Sequence, residues 1–90
     1  MSELEEAERT ERELREQIAD LVSARARAES EATRLAGRAE LEGADPTLAE
    51  IAERYRSQAT RLGAEIDAVR TSLREHEADV ERLRAQSSGA

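Results

Sequence analysis

Two long runs of mostly hydrophobic residues, each spaced three or four residues apart, constrain the fold of this chain more than any other feature. This spacing, sustained over many turns, places one stripe along a helix and is typical of a coiled-coil seam. The first run comprises Leu4, Ala7, Glu11, Leu14, Ile18, Leu21, Arg25, Ala28, Ala32, Leu35 and Ala39. The second run comprises Leu48, Ala52, Tyr55, Ala59, Leu62, Ile66, Val69, Leu73, His76, Val80 and Leu83.

A cluster of helix-breaking residues at 43–47 separates the two runs and predicts a turn. Gly43 suits the position just after a helix, where a left-handed backbone costs glycine nothing. Asp45, followed by proline, suits a helix N-cap, and Thr47 with Glu50 offers an alternative capping box two residues later. The chain therefore reads as two helices joined by one short turn.

We predict an all-α fold in which the two helices form an antiparallel coiled-coil hairpin, with pairing of two hairpins into a four-helix bundle dimer as a further step. The two seams could also pair between chains, since a swapped dimer would use the same contacts. The predicted single domain spans 1–90, with helix one over 3–42, the turn at 43–47, helix two over 46–86 and a disordered tail at 87–90.

Folding helix two back at the turn predicts a register in which the numbers of facing residues sum to 87. Leu4 then faces Leu83, and the large Tyr55 faces the small Ala32. Side chains lean toward the N-terminus of their own helix, which brings opposite charges beside the seam together. The pairs expected there are Glu8 with Arg84 and Arg15 with Glu77.

The composition excludes several classes of function. Charged residues make up 39% of the chain and aromatic residues 1%, so the core is thin and we expect a homodimer to add buried area. The net charge of −7 argues against binding to nucleic acid or to anionic membranes. No apolar run reaches membrane length, which favours a cytoplasmic protein, and the absence of cysteine excludes thiol chemistry.

All 14 basic residues are arginine. With so much alanine, this bias is typical of a high-GC, bacterial genome. The alternative is selection for bidentate pairing to carboxylate or phosphate, which arginine makes and lysine does not.

Three polar residues interrupt the seams. Glu11 is predicted to face His76 in a polar layer that fixes the register, and Arg25 is predicted to pack its stem while its guanidinium reaches Glu29 or Glu65. A metal site would need more than His76, Asp79 and Glu11, since no second imidazole or thiolate is present. We therefore predict no metal, no cofactor and no catalytic residues, because no nucleophile stands beside a base and no phosphate-binding loop occurs.

Two surfaces are candidate binding sites. Apolar residues outside the seam in the turn half predict a face for a protein partner, formed by Val22, Leu41, Ile51 and Tyr55. An arginine strip for a small anionic ligand is the alternative, formed by Arg25, Arg27, Arg54, Arg56 and Arg61.

The turn region resembles the coiled-coil domain of Gre-type transcript-cleavage factors, whose acidic tip enters RNA polymerase. Glu40, Glu42, Asp45 and Glu50 make this tip acidic, and residues 45–50 loosely match the family's tip motif, roughly D-L-S-E-N-A-E-Y. This resemblance implies an RNA polymerase-binding hairpin; the family's second, globular domain has no counterpart in the sequence.

The chain is also similar to the cyclic-di-GMP-binding anti-sigma factors of actinobacteria, which are arginine-rich antiparallel hairpins with the signature E-x3-S-x2-R-x3-Q-x3-D. Helix one places Glu5, Arg9, Arg12, Glu16 and Asp20 at the five signature positions, of which Glu5, Arg12 and Asp20 match. Helix two places Glu53, Ser57, Thr60, Ala64 and Ala68 there, of which Glu53 and Ser57 match. The resemblance implies a ligand-gated transcriptional regulator. The expectation that follows from the residues themselves is a non-enzymatic protein–protein interaction module, acting as a small scaffold, adaptor or regulator.

Overall fold

The computed structural model describes residues 2–88, which form two long antiparallel α-helices. Helix α1 spans Glu3–Ala39 and helix α2 spans Thr47–Ser88. They pack side by side into a rod of 73 × 17 × 14 Å. The predicted all-α hairpin is confirmed.

The predicted seam is the core of the rod. Every seam residue except Arg25 is buried or half-buried, and Ile66 and Val80 are the largest side chains that are fully buried. The turn half of the core consists mainly of alanine, namely Ala28, Ala32, Ala52 and Ala59, together with Leu35. Apart from Ile66, the larger seam residues near the middle of the rod stay half-buried, because a neighbour covers each helix on one side only.

Two ion pairs between the helices confirm the predicted register. Arg84 Nη2 lies 3.2 Å from Glu8 Oε2, and Arg15 Nη2 lies 3.4 Å from Glu77 Oε2. These are the pairs expected from a register that sums to 87. The contacts also show that α1 and α2 of this chain pair with each other.

Side-chain caps begin both helices. The hydroxyl of Ser2 accepts a hydrogen bond from the backbone N–H of Glu5 at 3.2 Å, a cap that the sequence analysis did not identify. Asp45 caps α2 as predicted, since its Oδ1 accepts from the backbone N–H of Thr47 at 2.9 Å and from the Thr47 hydroxyl at 2.8 Å. These two hydrogen bonds hold the pKa of the Asp45 carboxyl below its usual value.

The helix ends differ from the predicted bounds. Helix α1 ends at Ala39 rather than at residue 42, because the Leu41 N–H bonds to Arg38 O at 3.2 Å and tightens the last turn into a 3₁₀ turn. The chain then reverses through a turn closed by a 3.1 Å bond from Ala44 N–H to Leu41 O. Helix α2 continues to Ser88, so residues 87–88 of the predicted tail are helical, and residues 89–90 lie outside the described part of the chain.

Gly43 takes the left-handed conformation that the sequence predicts, with φ of +77°, at the third position of this turn. We expect Gly43→Ala to lower the free energy of unfolding by about 1–2 kcal/mol, since the cost lies in the backbone alone and an added Cβ meets nothing within 4 Å. Gly37→Ala is the matched control, because its added Cβ also meets nothing within 4 Å but the site is helical, and it should stabilise by about 0.5–1 kcal/mol. Urea denaturation of both variants measures the difference; equal effects of the two substitutions would contradict it.

Candidate functional site

The hairpin has two long sides, one on each flank of the seam, and residues seven apart share a side because the helices pair as a coiled coil. We call one the Tyr55 side; it carries Thr10, Gln17, Ala24 and Glu31 of α1 and Ile51, Gln58, Glu65, Ser72 and Asp79 of α2. We call the other the Arg25 side; it carries Glu8, Arg15, Val22 and Glu29 of α1 and Arg56, Gly63, Arg70, Glu77 and Arg84 of α2.

The larger groove, about 680 Å³, lies on the Arg25 side in the turn half. Its floor consists of small residues, and its polar lining includes Arg25 and Arg56. Both guanidinium groups are already matched with carboxylates, because Arg25 Nε lies 3.3 Å from Glu29 and Arg56 pairs with Glu53. An anion entering this groove would compete with those carboxylates.

Tyr55 lies half-buried in the turn half of the opposite side, in a shallow groove between the helices. Ile51 and Arg54 flank it on α2, and Arg27 approaches from α1. Within residues 2–88, the guanidinium groups of Arg27 and Arg54 make no hydrogen bond and no ion pair. The Tyr55 side therefore presents an aromatic ring and an isoleucine between two uncompensated guanidinium groups.

Arg34, one turn beyond Glu31 on α1, shows the contrast. Its guanidinium bonds to the Glu31 carboxylate at 2.6 and 3.2 Å. This pairing lowers the pKa of Glu31 and raises the pKa of Arg34. The electrostatic interaction with Tyr55 adds to the rise at Arg34. The neighbours of Tyr55 thus include both matched and unmatched charges.

The structure does not bring the five arginines of the predicted anion strip together. Arg25 and Arg56 line the groove on the Arg25 side, whereas Arg27 and Arg54 line grooves on the Tyr55 side. Arg61 lies seven residues after Arg54 on the same helix, so it shares that second side. The seam separates the two groups.

The predicted interaction face is also divided. Leu41 projects from the turn and is 66% exposed, while Ile51 and Tyr55 are half-buried nearby on the Tyr55 side. Val22, 40% exposed, lies seven residues before Glu29 and therefore belongs to the Arg25 side. Three of the four residues predicted for the interaction face, Leu41, Ile51 and Tyr55, therefore lie at the turn end of the rod.

The polar layer of the seam differs from the prediction. Glu11 is the one buried charged residue in the described part of the chain, but it pairs with Arg15 at 2.6 Å rather than with His76. The His76 ring instead places Nε2 2.7 Å from the Ala7 carbonyl oxygen, so this nitrogen carries the hydrogen and donates it. The imidazole bonds to the backbone carbonyl because the Glu11 carboxylate is already paired with Arg15, which also pairs with Glu77.

Arg25 behaves as predicted for a seam arginine. It is exposed, and its guanidinium reaches Glu29, one of the two expected partners. A Cβ added at Gly63 would lie 3.6 Å from Arg25 Nη1 and 3.9 Å from its Cδ. These are ordinary van der Waals distances, so the Arg25 side chain does not require glycine at residue 63.

The described residues contain no group of three or more histidines and carboxylates placed to hold a metal ion. No helix within residues 2–88 is apolar over a membrane-spanning length. The chain matches no protein-family model, no curated protein and no solved structure.

Proposed function

We propose that this chain is a non-enzymatic protein–protein interaction module, a small cytoplasmic scaffold, adaptor or regulator that docks through the turn end of the Tyr55 side. The observation that carries the proposal is the apolar surface left uncovered at this end of the rod: Leu41 is 66% exposed in the turn, and Ile51 and Tyr55 are only half-buried on the Tyr55 side. Tyrosine beside unmatched arginine is the composition of interface hot spots. The nearby Arg27 and Arg54 supply those guanidinium groups.

The shape of the rod supports this proposal over catalysis. A reaction centre needs a concave site that surrounds the substrate and excludes water. The grooves beside Tyr55 and Arg25 are open along the length of the rod, and they place no nucleophile next to a base. A long surface of this kind suits a helical partner that lies along it.

Site-specific photocrosslinking tests the proposal. A photoreactive amino acid replaces Leu41 in one variant and Ser57 in a control, which is exposed on the outer face of α2. In cells of the source organism, we expect the Leu41 variant to give discrete crosslinked bands and the Ser57 variant to give none. A band near twice the 10.0 kDa of the chain marks a second copy, and other masses mark a different protein. Equal labelling of both variants, or no labelling of either, would overturn the proposal.

A further inference from the structure

The charges of the chain are segregated along the rod. Residues 24–63, which form the turn half, hold seven arginines and seven acidic residues and are neutral. The remaining residues hold seven arginines and 14 acidic residues, so the whole net charge of −7 belongs to the terminal half. One end of the rod is therefore acidic, and the other is not.

On the Tyr55 side the segregation forms an ordered pattern. One line of residues on α1, spaced by seven and adjacent to this side, changes sign once, between Asp20 and Arg27. That line reads Glu6, Glu13, Asp20, Arg27 and Arg34. The corresponding line on α2 reads Arg54, Arg61, Ala68, Glu75 and Arg82, and Arg82 is already paired with Asp79 at 2.9 Å. On α1 the arginines occupy the turn half of the line and the carboxylates the terminal half, whereas on α2 Glu75 is the one carboxylate of its line.

The central charges of these lines have no partner inside the chain. Four of these side chains make no hydrogen bond and no ion pair within residues 2–88. They are Asp20 and Arg27 on α1, and Arg54 and Glu75 on α2. On the Arg25 side four ion pairs match charges within the chain, namely Glu8–Arg84, Arg15–Glu77, Arg25–Glu29 and Arg56–Glu53. On the Tyr55 side Glu31 pairs with Arg34 and Asp79 with Arg82, and Asp20 and Arg27 remain as an unpaired change of sign along α1.

We propose that a second copy of this chain packs antiparallel on the Tyr55 side, about a two-fold axis that crosses the middle of the rod. In this arrangement α1 lies along α1 of the second copy, and α2 lies along α2. Arg27 then meets Asp20 of the second copy, and Arg54 meets Glu75 of the second copy. Two-fold symmetry makes each contact occur twice.

Helix α1 gives the position of the axis, and the pairing of Arg54 with Glu75 on α2 agrees with it. On α1, the midpoint of Asp20 and Arg27 falls between residues 23 and 24. On α2, the midpoint of Arg54 and Glu75 falls between residues 64 and 65. In the hairpin register these two midpoints lie at the same level of the rod to within one residue, which is about 1.5 Å. One axis therefore satisfies both lines of charge.

On α1 the surface near this axis suits close packing of helices, whereas on α2 the nearest Tyr55-side residue is Glu65, which would lie beside Glu65 of the second copy. Leu21, Leu62 and Val69 are half-buried seam residues at mid-rod, with apolar area that a second hairpin would cover. Ala24 is the Tyr55-side residue nearest the axis on α1, and its small side chain allows helices to approach. A two-fold arrangement with the rods parallel would instead lay α1 along α2 of the second copy and bring Arg27 to the level of Arg61, where like charges would repel.

This inference rests on the proposed function, since it names a second copy as the occupant of the Tyr55 side. Charge exchange tests it by light scattering over a dilution series. Asp20→Arg and Arg27→Asp should each raise the dimer dissociation constant by about tenfold, because each substitution turns two attractive contacts repulsive. An equimolar mixture of the two variants, and the double variant, should both recover the dimer of about 20 kDa, which is twice the mass of the chain.

The matched controls are Asp67→Arg and Arg70→Asp. They change the net charge by the same amounts at exposed positions on the Arg25 side, and neither side chain has a partner within residues 2–88. Both controls should dimerise as the unaltered chain does. Circular dichroism of every variant confirms that the helices are retained.

A cysteine crosslink tests the orientation, because the chain has no cysteine of its own. Ala24→Cys lies next to the proposed axis and should oxidise to a covalent dimer. Ala26→Cys, exposed away from the Tyr55 side, should stay monomeric under the same conditions.

Three outcomes would overturn the inference. One is a monomer at all concentrations, another is a dimer unaffected by Asp20→Arg and Arg27→Asp, and the third is failure of the mixture to restore dimers. A monomer that still crosslinks a different protein through Leu41 would overturn the second copy alone and leave the proposed function standing. Failure of both crosslinking and self-association would overturn both.

Discussion

Replacing Ile66 with alanine is expected to lower the free energy of unfolding by about 3 kcal/mol, the largest loss from any single truncation in this hairpin. Ile66 is 1% exposed and is one of the two largest side chains that are fully buried. Isoleucine-to-alanine changes in a core cost about 2–5 kcal/mol, since transfer energy and cavity formation add. The nearby core toward the turn consists mainly of alanine, so no large neighbour can refill the space.

Urea denaturation followed by far-UV circular dichroism measures the loss. Val22→Ala is the matched control, because Val22 is an aliphatic β-branched residue of similar shape that is 40% exposed on the Arg25 side. It should change stability by less than about 0.5 kcal/mol. A loss at Ile66 no larger than that at Val22 would contradict the seam as the source of stability.

The sequence alone predicts that Ile66 is buried and that Val22 is exposed, for a reason that applies to all coiled coils. The seam spacing alone separates Ile66 from Val22, because a sustained interval of three and four residues defines which face of a helix is covered. The register follows from equal seam lengths and a single turn, and it placed Glu8 beside Arg84 correctly. These features depend on periodicity, which a sequence carries in full.

The details that sequence analysis missed depend on local competition instead. The partner of His76 could not be read from its position opposite Glu11, since Arg15 on the same helix reaches that carboxylate first. The end of α1 at Ala39 reflects the path of the turn through Gly43, whereas the helix propensities of residues 40–42 favour continuation.

The division of the arginines between two sides of the rod could have been found from the sequence. Sorting residues into lines spaced by seven separates Arg27 and Arg54 from Arg25 and Arg56, and the same sorting shows the change of sign between Asp20 and Arg27. Grouping the arginines by proximity along the chain concealed both features. For a rod with a narrow core, the arrangement of charges on each side is the more informative pattern for function.

Glu11→Leu is expected to have the opposite effect to Ile66→Ala and to raise the free energy of unfolding by about 1–2 kcal/mol. Glu11 is a seam residue that is 8% exposed, and its carboxylate is held by Arg15 at 2.6 Å. Replacing a buried ionic group with a hydrophobic one is often stabilising, because the charge no longer has to leave water. Leucine would also extend the hydrophobic stripe between Ala7 and Leu14.

Arg15→Leu should do the reverse and destabilise by about 1–3 kcal/mol, since it leaves the buried Glu11 carboxylate without its cation. Urea denaturation of both variants, with Glu13→Leu as an exposed control on the same helix, resolves the sign. A gain at Glu11 and a loss at Arg15 would show that the ion pair costs stability and that Glu11 is kept for another reason. That reason is register, because Arg15 joins Glu11 to Glu77 and so links the two helices at one level. Destabilisation by Glu11→Leu would mean instead that the ion pair is a net source of stability.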